Sequence, residues 1–134
     1  MVKSIANWKL LVIFAPDIIN MEERIFRLLL STEADEFLLS LPEKVADKMR
    51  YNIRRVQKGE RDPELFKKLG DTEIWEFRTL YNKMAYRLFS FWDTEKETLV
   101  IATHGIVKKT QKTPQKEIAK AQEFRRIYFA NKKK

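Results

Sequence analysis

The side chains best suited to chemistry lie in the second half of the chain: Arg78, Arg87, His104, Lys108 and Lys109. Cations of this kind stabilise the negative charge that develops when an RNA 2′-hydroxyl attacks the neighbouring phosphate, and a histidine can move protons. This reaction does not require a metal ion. We therefore take Arg87, Arg78, Lys109 and His104 as candidate catalytic residues.

Strand alternation predicts where the two arginines point. Arg78 shares a face with Glu76, and Arg87 shares a face with Phe89 and Phe91. A guanidinium among apolar neighbours is costly unless it is ion-paired or serves an anion. The alternative is a salt bridge with Glu73 or Glu76 that fixes the sheet.

His104 is the only histidine, and the pattern places it at the end of a strand before Gly105. A single histidine there is more often a hydrogen-bonded structural group than a catalyst, by roughly two to one. A paired-histidine ribonuclease site is excluded. Because the chain has no cysteine and no His/Asp/Glu cluster with ligand spacing, we expect neither a metal nor another cofactor.

The segment 108–113 forms a cationic connection into the last helix. Its backbone N–H groups, with Lys108 and Lys112, could hold a phosphate. The alternative is an ordinary connection in which Thr113 caps the helix and Pro114 is its first residue. Lys67 and Lys68 offer a second basic edge, so Lys108, Lys112, Lys67 and Lys68 are candidate RNA-binding residues.

The net charge of +8 is unevenly distributed. Residues 108–134 contain ten lysines or arginines and two glutamates, whereas the remaining residues are balanced. Clustered positive charge accelerates encounter with nucleic acid. A solvated helix with a lysine tail explains the same charge equally well.

The periodicity predicts one α+β domain over residues 1–134. We expect a strand at 8–14, a possible short helix at 25–30, a helical pair at 34–41 and 42–59, and a final helix from 115. Between them, strands at 74–79, 85–92 and 98–103 form an antiparallel meander. The helices are expected to pack on one side of a small twisted sheet.

The composition indicates a soluble cytoplasmic protein. Hydrophobic residues make up 44% of the 134-residue chain, which excludes a disordered protein. The absence of cysteine fits a reducing compartment. The apolar run 10–15 is too short to span a bilayer, so we expect no membrane association.

Four segments together resemble the phage-derived HigB-like branch of the RelE/ParE toxin superfamily, over roughly residues 33–125. The last segment is the most specific. They are Lys68-Leu69-Gly70, Ile74-Trp75-Glu76-Phe77-Arg78, Tyr86-Arg87-Leu88-Phe89 and His104-Gly105-Ile106-Val107-Lys108-Lys109-Thr110-Gln111-Lys112-Thr113-Pro114.

The resemblance implies a RelE-like fold with a helical hairpin, a mostly antiparallel sheet and a C-terminal helix. It also implies a ribosome-dependent mRNA endonuclease that is a toxin of a type II toxin–antitoxin system. Its partners would be the ribosome, mRNA and a cognate antitoxin, often a helix-turn-helix DNA-binding protein. Arg87 matches the family's phosphate-stabilising arginine, Arg78 the arginine closing the preceding strand, and Lys108–Lys109 a basic residue after the last strand.

The chain also departs from the family pattern. RelE has lysines where this chain has Trp75 and Glu76, and the tyrosine near the final helix has no counterpart closer than Tyr128. Residues 16–32 are expected to be an insertion and 126–134 a basic tail. Proton transfer would then fall to His104, a lysine or a ribosomal group.

Two other functions fit the same fold. A ParE-like toxin would bind DNA gyrase and cut nothing, and a degenerate member would only bind RNA. The clustered cations favour the nuclease, because a gyrase-binding protein needs no convergent phosphate site.

Overall fold

A computed structural model describes residues 12–14, 24–95, 98–110 and 112–132. Its strands are β1 (Val12–Phe14), β2 (Arg27–Leu30), β3 (Phe66–Lys68), β4 (Trp75–Tyr81), β5 (Met84–Trp92) and β6 (Leu99–Lys108). Its helices are α1 (Thr32–Ser40), α2 (Glu43–Gln57) and α3 (Gln115–Lys132). The predicted α+β class, with a helical pair before the meander and a helix after it, is confirmed.

The strands form one mixed sheet in the order β1-β2-β6-β5-β4-β3. All neighbours are antiparallel except β2 and β6, which run parallel from Arg27 opposite Leu99 to Leu30 opposite Ala102. The predicted short helix at 25–30 is therefore wrong, because Arg27–Leu30 is a strand inside the sheet. These residues also fall within the range 16–32 that we predicted as an insertion.

The two helices α1 and α2 begin and end where local chemistry dictates. The Ser31 hydroxyl caps α1 by accepting from the Ala34 amide at 3.0 Å, and it donates to the Thr103 carbonyl at 2.7 Å. Pro42 is the N-cap residue, one position before α2, whereas the predicted helix 42–59 has Pro42 as its first residue. Gly59, with φ of +105°, follows the end of α2 in a conformation that favours glycine.

Helices cover both faces of the sheet, which corrects the expectation that they pack on one side. Leu88 of β5 packs with Val45, Met49 and Ile53 of α2 in one buried cluster. The alternate residues Phe89 and Phe91 pack in a second cluster with residues of α3, among them Ile118, Ala121 and Tyr128. The sheet is therefore a middle layer between α1/α2 and α3, and the two faces of β5 have different environments.

The far end of α3 is anchored to the sheet by a buried polar cluster. The Tyr128 hydroxyl donates to Asp93 at 2.8 Å, and the Lys132 ammonium donates to the same carboxylate at 2.6 Å. Burial, followed by the hydrogen bond to Asp93 and the Asp93 charge, raises the pKa of Tyr128, which therefore remains a donor. Residues 126–132 of the predicted basic tail thus continue α3.

Some predictions lie outside the described residues. They are residues 8–11 of the first predicted strand, residues 16–23 of the predicted insertion, residue 111 of the cationic connection, and residues 133–134 of the tail.

Candidate anion-binding site

The register of the sheet brings the predicted cations onto the face covered by α3. Arg78 of β4 lies directly opposite Arg87 of β5, and Lys67 of β3 lies opposite Glu76. At the other side of β5, Lys108 of β6 lies opposite Ala85. Since directly paired residues point to the same face, these side chains converge on one region of the sheet.

Glu76 is the common partner in this region. One of its carboxylate oxygens, Oε2, lies 3.4 Å from Arg78 Nε and 3.5 Å from Arg87 Nε. The other oxygen, Oε1, accepts a 2.9 Å hydrogen bond from the Thr113 hydroxyl. Thr113 in turn accepts from the Lys108 ammonium at 3.3 Å. One carboxylate therefore organises three cations.

The cluster of Arg78, Arg87 and Lys108 around Glu76 has an excess of positive charge and is largely buried. Arg87 and Glu76 are each only 2% exposed. Burial, helped by the charge of Arg78, lowers the pKa of Arg87, and Glu76 opposes that shift. Burial and then the charges of Arg87 and Arg78 lower the pKa of Lys108. An environment that disfavours its own cations in this way favours an added anion.

An open cleft of about 510 Å³ adjoins the cluster between β3, β4 and the start of α3. Four of the predicted cations line it: Lys67, Lys68, Arg78 and Lys112. Glu76, Asp71 and Thr113 also line its wall. Three of the four RNA-binding candidates are thus brought together with Arg78, and Lys108 reaches the same place through Thr113.

Arg87 lies beside the cleft rather than on its surface. Its side chain is 2% exposed, it pairs with Glu76, and it also donates to the Tyr86 carbonyl at 3.3 Å. This is the salt bridge that we considered as the alternative for the arginines. Arg78 also pairs with Glu76, but its side chain keeps 12% exposure and it lines the cleft. Of the two arginines, Arg78 is the one placed to touch a ligand.

His104 is not brought to the cleft. The prediction that it ends its strand is wrong, because β6 continues to Lys108. Its Nδ1 is 2.9 Å from the Thr103 hydroxyl, its Nε2 is 3.0 Å from Glu117, and its ring stacks on Phe89. Burial lowers its pKa and keeps the imidazole neutral. These contacts favour the structural role.

The connection after β6 differs from the prediction of an ordinary capped connection. Thr113 was predicted to cap the last helix, but Pro114 occupies the cap position, and the Thr113 hydroxyl donates to Glu76. The first-turn amides of Glu117 and Ile118 bond to the Pro114 carbonyl, so α3 begins at Gln115. Lys109 is exposed and does not line the cleft. The connection therefore contributes Lys108, Lys112 and Thr113 to the site.

Sequence reasoning missed the central place of Glu76. The alternation of β4 puts it beside Arg78, which is the signal that identified a possible salt bridge. Its bond to Thr113 joins residues 37 positions apart, which no local pattern indicates.

The described residues show neither a metal-binding cluster nor a membrane-spanning helix. They contain no group of three histidine, aspartate or glutamate side chains that could hold a metal ion. They contain no helix that is long and apolar enough to cross a membrane.

The fold and site define an α+β protein with a basic cleft at the edge of its central sheet. Residues 36–133 match the family described as phage-derived protein Gp49-like (DUF891), and the chain belongs to this family. No curated protein and no solved structure matches the chain.

Proposed function

We propose that this protein is the toxin of a toxin–antitoxin pair and cuts mRNA on the ribosome. The observation that carries the proposal is the gathering of Arg78, Arg87 and Lys108 around Glu76, beside an open cleft with further lysines. The Gp49-like family is related to the RelE/HigB toxin superfamily, which supports the same activity.

In this proposal the RNA phosphate binds in the cleft against Arg78, with Lys67, Lys68 and Lys112 holding the adjacent backbone. The 2′-hydroxyl loses its proton to a ribosomal group and its oxygen attacks the phosphate, so that the 2′-O–P bond forms as the P–O5′ bond breaks. The excess positive charge stabilises the dianionic transition state. Arg87 acts through Glu76 as a positioning residue, because it is buried. Because its pKa is lowered, Lys108 gives up its proton more readily than an ordinary lysine. Lys108 therefore protonates the departing 5′-oxygen.

Substitution of Arg78 tests the proposal. Arg78→Gln removes the charge that faces the cleft but keeps most of the side-chain volume, so we expect loss of growth inhibition and of mRNA cleavage. The loss of one transition-state cation typically lowers the rate by about 10²–10³. The measurement is induced expression followed by mapping of mRNA 5′ ends.

A matched control is Arg27→Gln, which removes an exposed arginine of β2 far along the sheet order from β4. It should cut mRNA like the unmodified protein. Circular dichroism of both variants verifies folding. Full cleavage by Arg78→Gln would refute the nuclease proposal, and toxicity with intact mRNA but broken chromosomal DNA would favour the gyrase-directed alternative.

The same proposal includes an antitoxin partner that covers the cleft. A segment rich in acidic residues fits a cleft lined by four cations. A small helix-turn-helix gene adjoining the gene of this protein would support that partner directly.

A further inference from the structure

The outer surface of α2 carries a second concentration of positive charge. Residues 43–58 contain six basic side chains and two acidic ones, a net charge of +4. The inner residues Val45, Met49 and Ile53 are buried in the core, so the charged residues occupy the opposite side of the helix. The basic residues are Lys44, Lys48, Arg50, Arg54, Arg55 and Lys58.

Five residues follow a single line along α2 and its C-cap residue, and we call them the outer stripe: Lys44, Lys48, Tyr51, Arg55 and Lys58. Their spacing of four, three, four and three residues keeps them on one face of a helix. At about 1.5 Å per residue the line is about 21 Å long. The outer stripe therefore places four cations along the helix, with one aromatic ring at its centre.

The side chains in the middle of the outer stripe are held in place. Tyr51 is 56% exposed, and the Arg55 guanidinium lies 5.7 Å from its ring centre while also pairing with Glu60. The Lys48 ammonium donates to the Leu80 carbonyl, which orders it without neutralising its charge. Among the described residues, Lys44 and Lys58 form no ion pair, so both ends of the stripe present their full charge.

The outer stripe and the cleft lie on opposite sides of the sheet. α2 packs on the face of the sheet that carries Phe77 and Leu88. The cleft lies on the other face, with Glu76 and Arg78. A strand of RNA in the cleft therefore does not reach the outer stripe without passing around the edge of the sheet.

We propose that the outer stripe binds the phosphate backbone of a double-stranded segment of structured RNA. A regular row of cations matches the regular phosphates of a duplex, which proteins recognise by shape and backbone contacts. Single strands are instead held by successive aromatic platforms, and the stripe has one. This inference goes beyond the proposed nuclease and does not require that the cleft cuts anything.

The test measures binding of the full chain to a labelled blunt RNA duplex. The duplex has about 16 base pairs, which is long enough to present two successive minor grooves. The variant is Lys44→Gln with Lys58→Gln. We expect several-fold weaker binding, and the slope of log K against log salt should decrease by about 2, one for each lost phosphate contact. The control, Arg27→Gln with Lys116→Gln, removes the same charge from exposed sites on β2 and α3 and should leave the slope unchanged.

Equal slopes for the two double variants would overturn the inference. Loss of duplex binding in Arg78→Gln instead would overturn it too, because it assigns the duplex to the cleft. Binding of an acidic peptide, but no RNA, through Lys44 and Lys58 would replace the RNA with a protein partner. None of these results depends on mRNA cleavage, so failure of the nuclease proposal is recognised separately.

Discussion

At the scale of single residues, Glu76 determines how the cations can be arranged in the absence of a ligand. Arg78 and Arg87 lie directly opposite each other, an arrangement that is unfavourable for like charges. Glu76 contacts both of them and holds Thr113 over the site. Breaking a buried ion pair by removing one partner costs about 3–5 kcal/mol, so the carboxylate keeps the two guanidinium groups together until an anion is present.

His104 should make the stability of the protein depend on pH. Burial lowers its pKa below the usual 6.5, so the unfolded chain binds a proton more readily than the folded one. Stability is therefore expected to be present above pH 6.5 and to fall as the pH decreases below it. The measurement is the free energy of unfolding in urea at pH 7.5 and at successively lower values.

His104→Gln serves as the comparison, because it has no proton to gain in this range. It should be less stable at pH 7.5, since it loses the packing on Phe89, but its stability should decline less on acidification. A parallel decline in both proteins would mean that acidic groups, and not His104, cause the pH dependence.

At the scale of elements, Gly105 is the point where α1 packs against β6. A Cβ atom at this position would overlap the ring of Phe37, which packs over the glycine from α1. Gly105→Ala is therefore expected to reduce the free energy of unfolding by roughly 1–3 kcal/mol through overpacking. Urea denaturation of the purified protein measures this change.

The double variant with Phe37→Leu identifies the cause. A smaller side chain at position 37 leaves room for the new methyl group, so the cost of Gly105→Ala should be smaller in that background. Equal costs in both backgrounds would indicate that strain within β6, rather than contact with α1, destabilises the alanine variant.

The elements themselves were predictable where the pattern is local. The pair α1 and α2, the meander and α3 follow from helical and alternating periodicity. β2 was mistaken for a helix because the short, mostly apolar run Ile25–Leu30 fits either structure. Its partner Leu99–Ala102 is about seventy residues away, and only that pairing makes it a strand.

The site, like the elements, was predictable only where the pattern is local. Alternation places Glu76 with Arg78, and the cationic residues of the cleft were identified by type. Alternation cannot show that Arg87 is buried, because its environment depends on how α3 and Thr113 cover the sheet. The burial of His104 depends in the same way on Glu117 of α3, thirteen residues later.

At the scale of the whole molecule, positive charge is concentrated on two opposite faces, the cleft beneath α3 and the outer stripe of α2. Sites that share no partner contribute independently to binding. For an RNA hairpin with a single-stranded extension, we expect the losses of binding free energy in Arg78→Gln and in Lys44→Gln/Lys58→Gln to add within about 0.5 kcal/mol in the combined variant. Titrations of the three variants with this RNA at one salt concentration measure the three losses of binding free energy.

Additivity follows because the duplex stem and the extension would occupy different faces, so removal of one contact leaves the other intact. A blunt duplex without the extension provides the control, since Arg78→Gln should then have no effect while the α2 variant keeps its full loss. The combined variant could instead lose no more binding free energy than the single variant that binds RNA more weakly. That result would mean that one segment of RNA contacts both surfaces in turn. The molecule would then have a single RNA-binding mode, and the separation of the two faces by the sheet would have no functional consequence.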